Sequence, residues 1–421
     1  MRATSNRRRT PLYSASIGEP LQARVKLGRV PRKELPRLRP PKGGGNSGTL
    51  RGHYENAPQG SRGRKGRQRP RERCWRDFSG YTRAVTTPVA VLGAGSFGTC
   101  LAMLAAREHD VTLWARDPAM ARTMAETRRN PRYLSDVELP EAIRPTADLG
   151  EALAGRELVI VAVPSHGVRE VMARARPHLD PEAILVSTVK GIEVETGARM
   201  GEVLRESLPE HHHSRLVFLS GPSFAREIAD RKPTSVTLAC EEEAYAISVQ
   251  TTLSCPWFRC YSHSDVVGVE IGGALKNVIA IAVGICDGLD MGMNARAGLM
   301  TRGLNEITRI GVQLGARPTT FLGLAGMGDL LLTCTGSLSR NRSVGIELGK
   351  GRTLDEILAG MTGVAEGVRT THAACQLADA LGVDVPIMRG VRAILEGELD
   401  PADVGRLLMT RQLTSEHDFY D

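Results

Sequence analysis

The chain has 421 residues, 41% hydrophobic and 24% charged, which is enough for one large or two medium cores and excludes a disulfide-stapled miniprotein. Its formal charge of +8 hides two unlike parts: residues 1–84 hold 22 Lys/Arg against 5 Asp/Glu, a net of +17, whereas the other 337 residues carry a net of −9. The body is therefore mildly acidic, and the basic balance of the whole chain is no argument for nucleic-acid binding.

Residues 1–84 also contain 8 Pro and 11 Gly, with clusters such as Arg7-Arg8-Arg9 and Gly43-Gly44-Gly45. Neither a helical nor a strand period persists there. Such a segment cannot bury enough apolar surface to offset its ordering entropy, so a disordered Arg/Gly/Pro-rich extension is expected. A solvated tail, a polyanion-binding arm and sequence upstream of a translation start near Val85 all fit this composition, while the Pro/Gly density disfavours an amphipathic transit peptide. No apolar region follows the basic N-terminus as in a secretory signal, and no window of 18 apolar residues predicts a membrane span. The 8 cysteines include no Cys-x-x-Cys pair, which suggests neither a thiolate metal site nor a disulfide framework. A reducing cytoplasm is the expected compartment.

Organised sequence starts at Pro88. Val89-Ala90-Val91-Leu92 predicts a buried strand, Gly93-Ala94-Gly95-Ser96-Phe97-Gly98 a turn, and the apolar run through Ala106 a helix. This is G-x-G-x-x-G in strand–turn–helix context. Gly93 permits the tight turn, Gly95 lets backbone approach a pyrophosphate, and Gly98 lets helix and strand pack closely. A second strand, Val111 to Trp114, ends at Arg116-Asp117. Arg116 suits the 2′-phosphate of NADPH, whereas Asp117 is the carboxylate expected of an NADH enzyme, so both cofactors stay open.

Further strands are predicted at 158–163, 183–187, 216–219 and 235–239, with helical patterns at 167–176 and 196–208. Short apolar strands alternating with helices predict a parallel, doubly wound sheet. Ala162-Val163-Pro164-Ser165, Thr188-Val189-Lys190-Gly191 and Ser220-Gly221-Pro222-Ser223 then lie at its carboxyl edge, where ligands bind. Three adjacent histidines, His211 to His213, cannot easily converge on one ion and predict a surface loop.

After Asp265 the strand signals fade. Ile271 to Ile285 predicts a buried helix with one charge, Lys276, in its middle. A buried ammonium loses its proton more readily, which suits an acid or base working near neutral pH. Gly272, Gly273, Lys276, Asn277 and Ala280 fall on one face. The second cluster, Gly323 to Thr335 followed by Ser339-Arg340-Asn341-Arg342, offers Asp329 as partner for Lys276 and Arg340 as a fork of donors for a phosphate. Met291, Met293 and Met300 fall near helical spacing and read as core filler.

From Pro88 onward the chain resembles the bacterial NAD(P)-dependent glycerol-3-phosphate dehydrogenases, through G-A-G-S-F-G-T at 93–99, S-G-P-S-F-A at 220–225, E-I-G-G-A-L-K-N-V-I-A at 270–280, and G-L-A-G-M-G-D-L-L-L-T-C ending at Cys334 with S-R-N-R at 339–342. The resemblance implies an α/β Rossmann-type N-terminal domain over 85–264 and an all-α substrate-binding domain over 265–421. It also implies a homodimer, no metal, and interconversion of glycerone phosphate and sn-glycerol 3-phosphate for phospholipid synthesis. It makes Lys276 the general base and gives Lys190, Gly221, Ser223, Asp329, Ser339, Arg340 and Asn341 to the substrate. It gives Ser96, Phe97, Arg116, Lys190, Ala225, Arg340, Val364 and Glu366 to the cofactor, beside the loop glycines Gly93, Gly95 and Gly98.

In this reading Lys276 exchanges the proton, Lys190 and Asn277 help meet the developing alkoxide, and Asp329 orients Lys276. A hydroxyacid or opine dehydrogenase of the same plan would commonly need a catalytic histidine, and His109, His166, His263 and His372 lie in none of the four segments. A redox-sensing binding protein would have no use for the lysine, aspartate and arginine of the second half.

Overall fold

The computed structural model describes residues 86–361, 363–413 and 415–416; the expectations about residues 1–84 lie outside the described residues. Runs of apolar, β-branched residues make the central strands, as in β1 (Val89–Leu92) and β4 (Leu158–Val161), both buried along their whole length. The others are β2 (Val111–Trp114), β3 (Ile143–Thr146), β5 (Ile184–Ser187), β6 (Leu216–Ser220), β7 (Thr234–Ala239) and β8 (Phe258–His263). They form one sheet in the order β3-β2-β1-β4-β5-β6-β7-β8. Leu92 is level with Trp114 on one side and Val161 on the other, so the carboxyl ends of β2, β1 and β4 line up where the strand order reverses. Such a switch point is where an open α/β sheet binds its ligand.

Seven helices connect these strands: α1 (Ser96–Ala105), α2 (Pro118–Thr127), α3 (Leu149–Leu153), α4 (Val168–Ala175), α5 (Met200–Ser207), α6 (Ala225–Ala229) and α7 (Glu243–Leu253). They divide the apolar residues of the sheet into two cores, one built on Val89, Val91 and Leu113 and the other on Ala90, Leu92 and Trp114, as the alternation of side chains along a strand requires.

The predicted sheet is corrected in two respects. It is mixed, because β7 runs antiparallel to β6. The link between them holds only the five-residue α6. β3 and β8 are also additional strands. β3 carries Pro145 at the sheet edge, and β8 alternates buried and exposed residues instead of running apolar, so neither matches the pattern of a buried parallel strand.

Strands end at His263 and helices follow. Asp265 caps α8 (Val266–Gly288) by accepting from the Gly268 N–H at 2.9 Å, and its second oxygen accepts from the Arg317 N–H and the Thr320 hydroxyl. Around α8 pack α9 (Gly292–Gln313), α10 (Asp329–Thr335), α11 (Arg340–Gly349) and α13 (Glu366–Leu381); α12 (Leu354–Ala359), α14 (Pro386–Leu395) and α15 (Pro401–Met409) complete the series. α8 and α11 cross with backbones in contact. A side chain at Gly284 or Gly288 would strike α11 backbone, and one at Gly345 or Gly349 would strike α8 backbone.

Three further expectations change. α8 is long and apolar enough to cross a membrane by length and composition, with Glu270, Lys276 and Asp287 as its charged residues; its most apolar window is 89% buried within the protein, as in a core helix. The triple histidine forms a short 3-10 helix, Glu210–Arg215, and His212 is buried there, with its pKa lowered by that burial. Among the described residues no group of His, Cys, Asp and Glu could hold a metal ion. Met291 and Met293 are 43% and 67% exposed because they flank the turn into α9, and Met300 is the one of the three that packs on the helical core.

Candidate active site

The glycine turn after β1 has the geometry of a phosphate cradle. Gly93 has φ +116°, and a Cβ there would lie 2.5 Å from the Ala162 carbonyl oxygen. A side chain at Gly98 would run into the Gly93 backbone. Gly95 differs: its φ is −73°, and an added Cβ would meet nothing within 4 Å. No internal contact requires glycine at that position, so the missing side chain clears space for something outside the protein. No side chain caps α1, whose first turn begins at Ser96 and Phe97. An uncapped helix start beside open space favours an anion, and this loop fits a dinucleotide pyrophosphate.

At the end of β2, Arg116 is exposed and has no hydrogen-bond partner among the described residues. Asp117 is occupied: its Oδ1 accepts from the Ala119 N–H at 2.9 Å, capping α2. The carboxylate that left the cofactor open in the sequence thus has a structural task.

The second half of the site forms around Asp329, which is 1% exposed at the start of α10. Its Oδ2 accepts from Lys190 Nζ at 2.6 Å, and its Oδ1 accepts from Lys276 Nζ. Lys276 Nζ also reaches the Thr333 hydroxyl at 2.7 Å, and that hydroxyl donates to the Asp329 carbonyl oxygen. Asp329, predicted as partner of one lysine, therefore serves two, drawn from the sheet edge and from the middle of α8. Burial alone would raise the Asp329 pKa; the positive charges of Lys190 and Lys276 outweigh it and hold the carboxyl below its ordinary range. Lys276 shifts down to about 8, because burial disfavours its charge more than Asp329 restores it, and Lys190 adds repulsion.

Glycines bring the parts together. A Cβ at Gly273 would lie 2.7 Å from the Ser220 hydroxyl, and one at Gly272 would lie 2.7 Å from the Ala325 carbonyl oxygen, so α8 sits directly against the end of β6 and the turn before α10. Gly221, at φ +140°, leaves its carbonyl to accept from the Ser223 hydroxyl at 2.9 Å and from Lys190 Nζ at 3.4 Å.

Ser339, Arg340 and Asn341 start α11. Ser339 caps the helix through the Arg342 N–H. Asn341 donates to Asn277 Oδ1 at 2.9 Å and accepts from the Gly367 N–H at 2.9 Å, tying α11 to α8 and α13. The Asn277 side-chain N–H2 is left without a partner among the described residues. Arg342 is bound to Asp287, whereas Arg340 is exposed and has no hydrogen-bond partner among the described residues. Gly363 lies against Arg340, where a Cβ would be 2.6 Å from Nη1, and Val364 follows it half-buried. Glu366 accepts from the Ser165 hydroxyl at 2.6 Å, joining α13 to the loop after β4. Phe97 packs on the core behind the glycine turn, and Ala225 opens α6 beside α1.

Thr333 and Ser165 are the contributors that sequence reasoning left without a role; a hydroxyl one helical turn after Asp329 was the available signal for the first. Three of the four histidines outside the family segments are engaged elsewhere, while His166 lies beside Ser165 in the loop after β4. His109 accepts from the Thr87 N–H, His263 accepts from the Asp265 N–H, and His372 lies 3.1 Å from Glu396.

Likeness to known proteins runs along both halves of the chain. Family models described as NAD-dependent glycerol-3-phosphate dehydrogenase N-terminus and C-terminus match residues 88–246 and 265–406. The chain is 54% identical over 331 residues to glycerol-3-phosphate dehydrogenase (NAD(P)+) of Syntrophotalea carbinolica, covering 78% of this chain and 99% of that one. It is 53% identical over 329 residues to the same-named protein of a Geobacter species, covering 78% and 98%. A crystal structure of glycerol-3-phosphate dehydrogenase from Coxiella burnetii matches with a TM-score of 0.73 at 36% identity, covering 77% of this chain and 99% of that one. An uncapped glycine turn at the sheet switch point and two lysines on one buried carboxylate thus accompany extensive likeness along both halves, and the chain belongs to the NAD-dependent glycerol-3-phosphate dehydrogenase family.

Proposed function

We propose that the protein catalyses the reversible, NAD(P)H-dependent reduction of glycerone phosphate (dihydroxyacetone phosphate) to sn-glycerol 3-phosphate, a product used in glycerophospholipid synthesis. The observation that carries this reading is the buried Lys276–Asp329–Lys190 group beside an unpaired Arg340. The nicotinamide, when bound, supplies a hydride to the ketone carbon. Lys276 Nζ gives a proton to the carbonyl oxygen as negative charge develops there, and takes one from the hydroxyl in the reverse direction. Lys190 and the free N–H2 of Asn277 donate to the same oxygen, while Asp329 and Thr333 hold Lys276 in place. Arg340, with Ser339 and Asn341 at the start of α11, binds the phosphate and fixes the position of the carbonyl. Ser223 and Gly221 complete the substrate side.

For the cofactor, Gly93, Gly95, Ser96 and Gly98 supply the pyrophosphate turn, with Phe97, Ala225, Val364 and Glu366 as its further contacts. Arg116, unpaired while Asp117 caps a helix, supports use of NADPH alongside NADH. The reading extends to a cytoplasmic homodimer; the seven described cysteines, all free and buried, suit a reducing compartment. The test is cofactor oxidation by the purified protein with glycerone phosphate against a panel of 2-oxo acids. Turnover of glycerone phosphate alone is expected. Turnover of a 2-oxo acid in its place would refute the assignment.

A further inference from the structure

Asn130 lies outside the four family segments, yet it is fully buried behind the glycine turn. Its Nδ2 donates to the Ala94 carbonyl oxygen at 2.9 Å and to the Thr99 hydroxyl at 2.8 Å. Its Oδ1 accepts from the N–H groups of Arg132 at 3.1 Å and Tyr133 at 3.0 Å. All four hydrogen-bonding positions of the amide are used. Asparagine is the side chain of this length that donates twice and accepts twice.

The bond to Ala94 has a consequence for the cofactor loop. A trans peptide sets its C=O and the following N–H on opposite sides, and the described backbone contains no cis bonds. With the Ala94 carbonyl turned inward to Asn130, the Gly95 N–H points away from the interior. It has no partner among the described residues, and the space over Gly95 is open. The Thr99 bond anchors the same amide to the first turn of α1. The Oδ1 bonds shape the 130–137 loop, which Asp136 ties to Arg226 of α6 at 2.6 Å.

We propose that Asn130 is a positioning residue for the cofactor: by holding the Ala94–Gly95 peptide plane, it aims the Gly95 N–H at the dinucleotide pyrophosphate. This deepens the reading of the glycine turn as a nicotinamide-dinucleotide site and rests on it.

Asn130→Asp keeps the shape and the acceptor but removes both donors. Direct binding of NADPH, followed by fluorescence titration without substrate, separates the possibilities. The wild-type protein binds with a measurable Kd. At about pH 8, N130D weakens NADPH binding by roughly tenfold or more. Affinity returns toward the wild-type value as pH falls and the buried carboxyl gains a proton, restoring one donor. The KM for glycerone phosphate stays within about twofold, because Arg340 and the lysine pair are untouched. A residue that merely stabilised the fold would lower Tm without this acid-dependent recovery.

Should N130D fail to fold, Thr99→Val removes one of the two acceptors that orient the amide, and weakens NADPH binding about threefold. An unchanged NADPH Kd in folded N130D or T99V overturns the role of Asn130 while leaving the glycine-turn site intact. A wild-type protein that fails to bind NADPH or NADH would overturn the site and, with it, this proposal.

Discussion

Arg340 and Arg342 stand two residues apart on α11 and have different work, because their partners differ. Arg342 is neutralised by Asp287, whereas Arg340 has no hydrogen-bond partner among the described residues. Arg340→Lys keeps the charge and loses the planar fork, so it should raise KM for glycerone phosphate at least as much as it lowers kcat; steady-state kinetics with an unchanged KM would mean that another group holds the phosphate. Arg116 admits a similar test at the opposite end of the cofactor. Arg116→Ala should raise the NADPH Kd by about tenfold and leave the NADH Kd within about twofold, since only NADPH carries the 2′-phosphate. Equal effects on both cofactors would remove Arg116 from their discrimination.

At the scale of elements, the closest packing is the crossing of α8 and α11. It sets the separation between Asn277 on α8 and Asn341 on α11, which meet at 2.9 Å. Gly345→Val would force these backbones apart. Overpacking of this kind should lower Tm by at least ~5 °C. It should also raise KM for glycerone phosphate, because Arg340 moves with α11. A melting curve that matches the wild type would contradict the close approach.

The Gly-x-x-x-Gly spacing at 284/288 and 345/349 was present in the sequence, but spacing alone does not say which helices meet. The same limit separates what could be read early from what could not. β1, its turn and the buried α8 follow from local pattern, since each is a run whose burial or periodicity is visible over about ten residues. Edge strands β3 and β8 were obscured because half-exposed strands need not be apolar. The attachment of Lys190 to Asp329 depends on a contact between distant segments that no local pattern carries, whereas the capping role of Asp117 is a local one, marked by Asp117-Pro118 at the start of α2.

At the scale of the whole molecule, burial of two carboxyls gives stability an unusual acid dependence. Glu270 accepts from Arg199 and the Gly201 N–H, and Glu306 accepts from the N–H groups of Ile387 and Met388 at the start of α14. Burial raises both pKa values from 4.5 to about 7. A carboxyl with a raised folded pKa binds its proton more tightly in the native state. Its stabilising contribution is full below the ordinary value of 4.5 and is lost as pH rises through about 7. Asp329, Asp136, Glu193 and Glu347 are shifted down, so their contribution is lost only in stronger acid; the lowered pKa values of His212 and Lys276 add stability as pH rises toward about 8 and offset part of the loss from the two buried carboxyls. Tm should therefore be higher at about pH 6 than at about pH 8 and fall again below about pH 4. Thermal melts across that range check the order, and Glu306→Gln should flatten the gain between pH 8 and 6. A Tm that rises steadily from pH 6 to 8 would contradict this balance.

The proton step depends on that same low-dielectric interior, through Lys276. Its most direct measurement is turnover of glycerone phosphate by Lys276→Ala beside the wild type, across pH, with NADPH Kd measured on both. The wild-type reduction rate should fall as pH rises through about 8, where Lys276 loses its proton, and oxidation of glycerol 3-phosphate should rise over the same interval. The variant should lose about 100-fold or more in kcat, and that pH dependence with it, while keeping NADPH affinity within about threefold. Near-wild-type kcat in folded Lys276→Ala, or an unchanged pH profile, would contradict the assignment of the proton to Lys276.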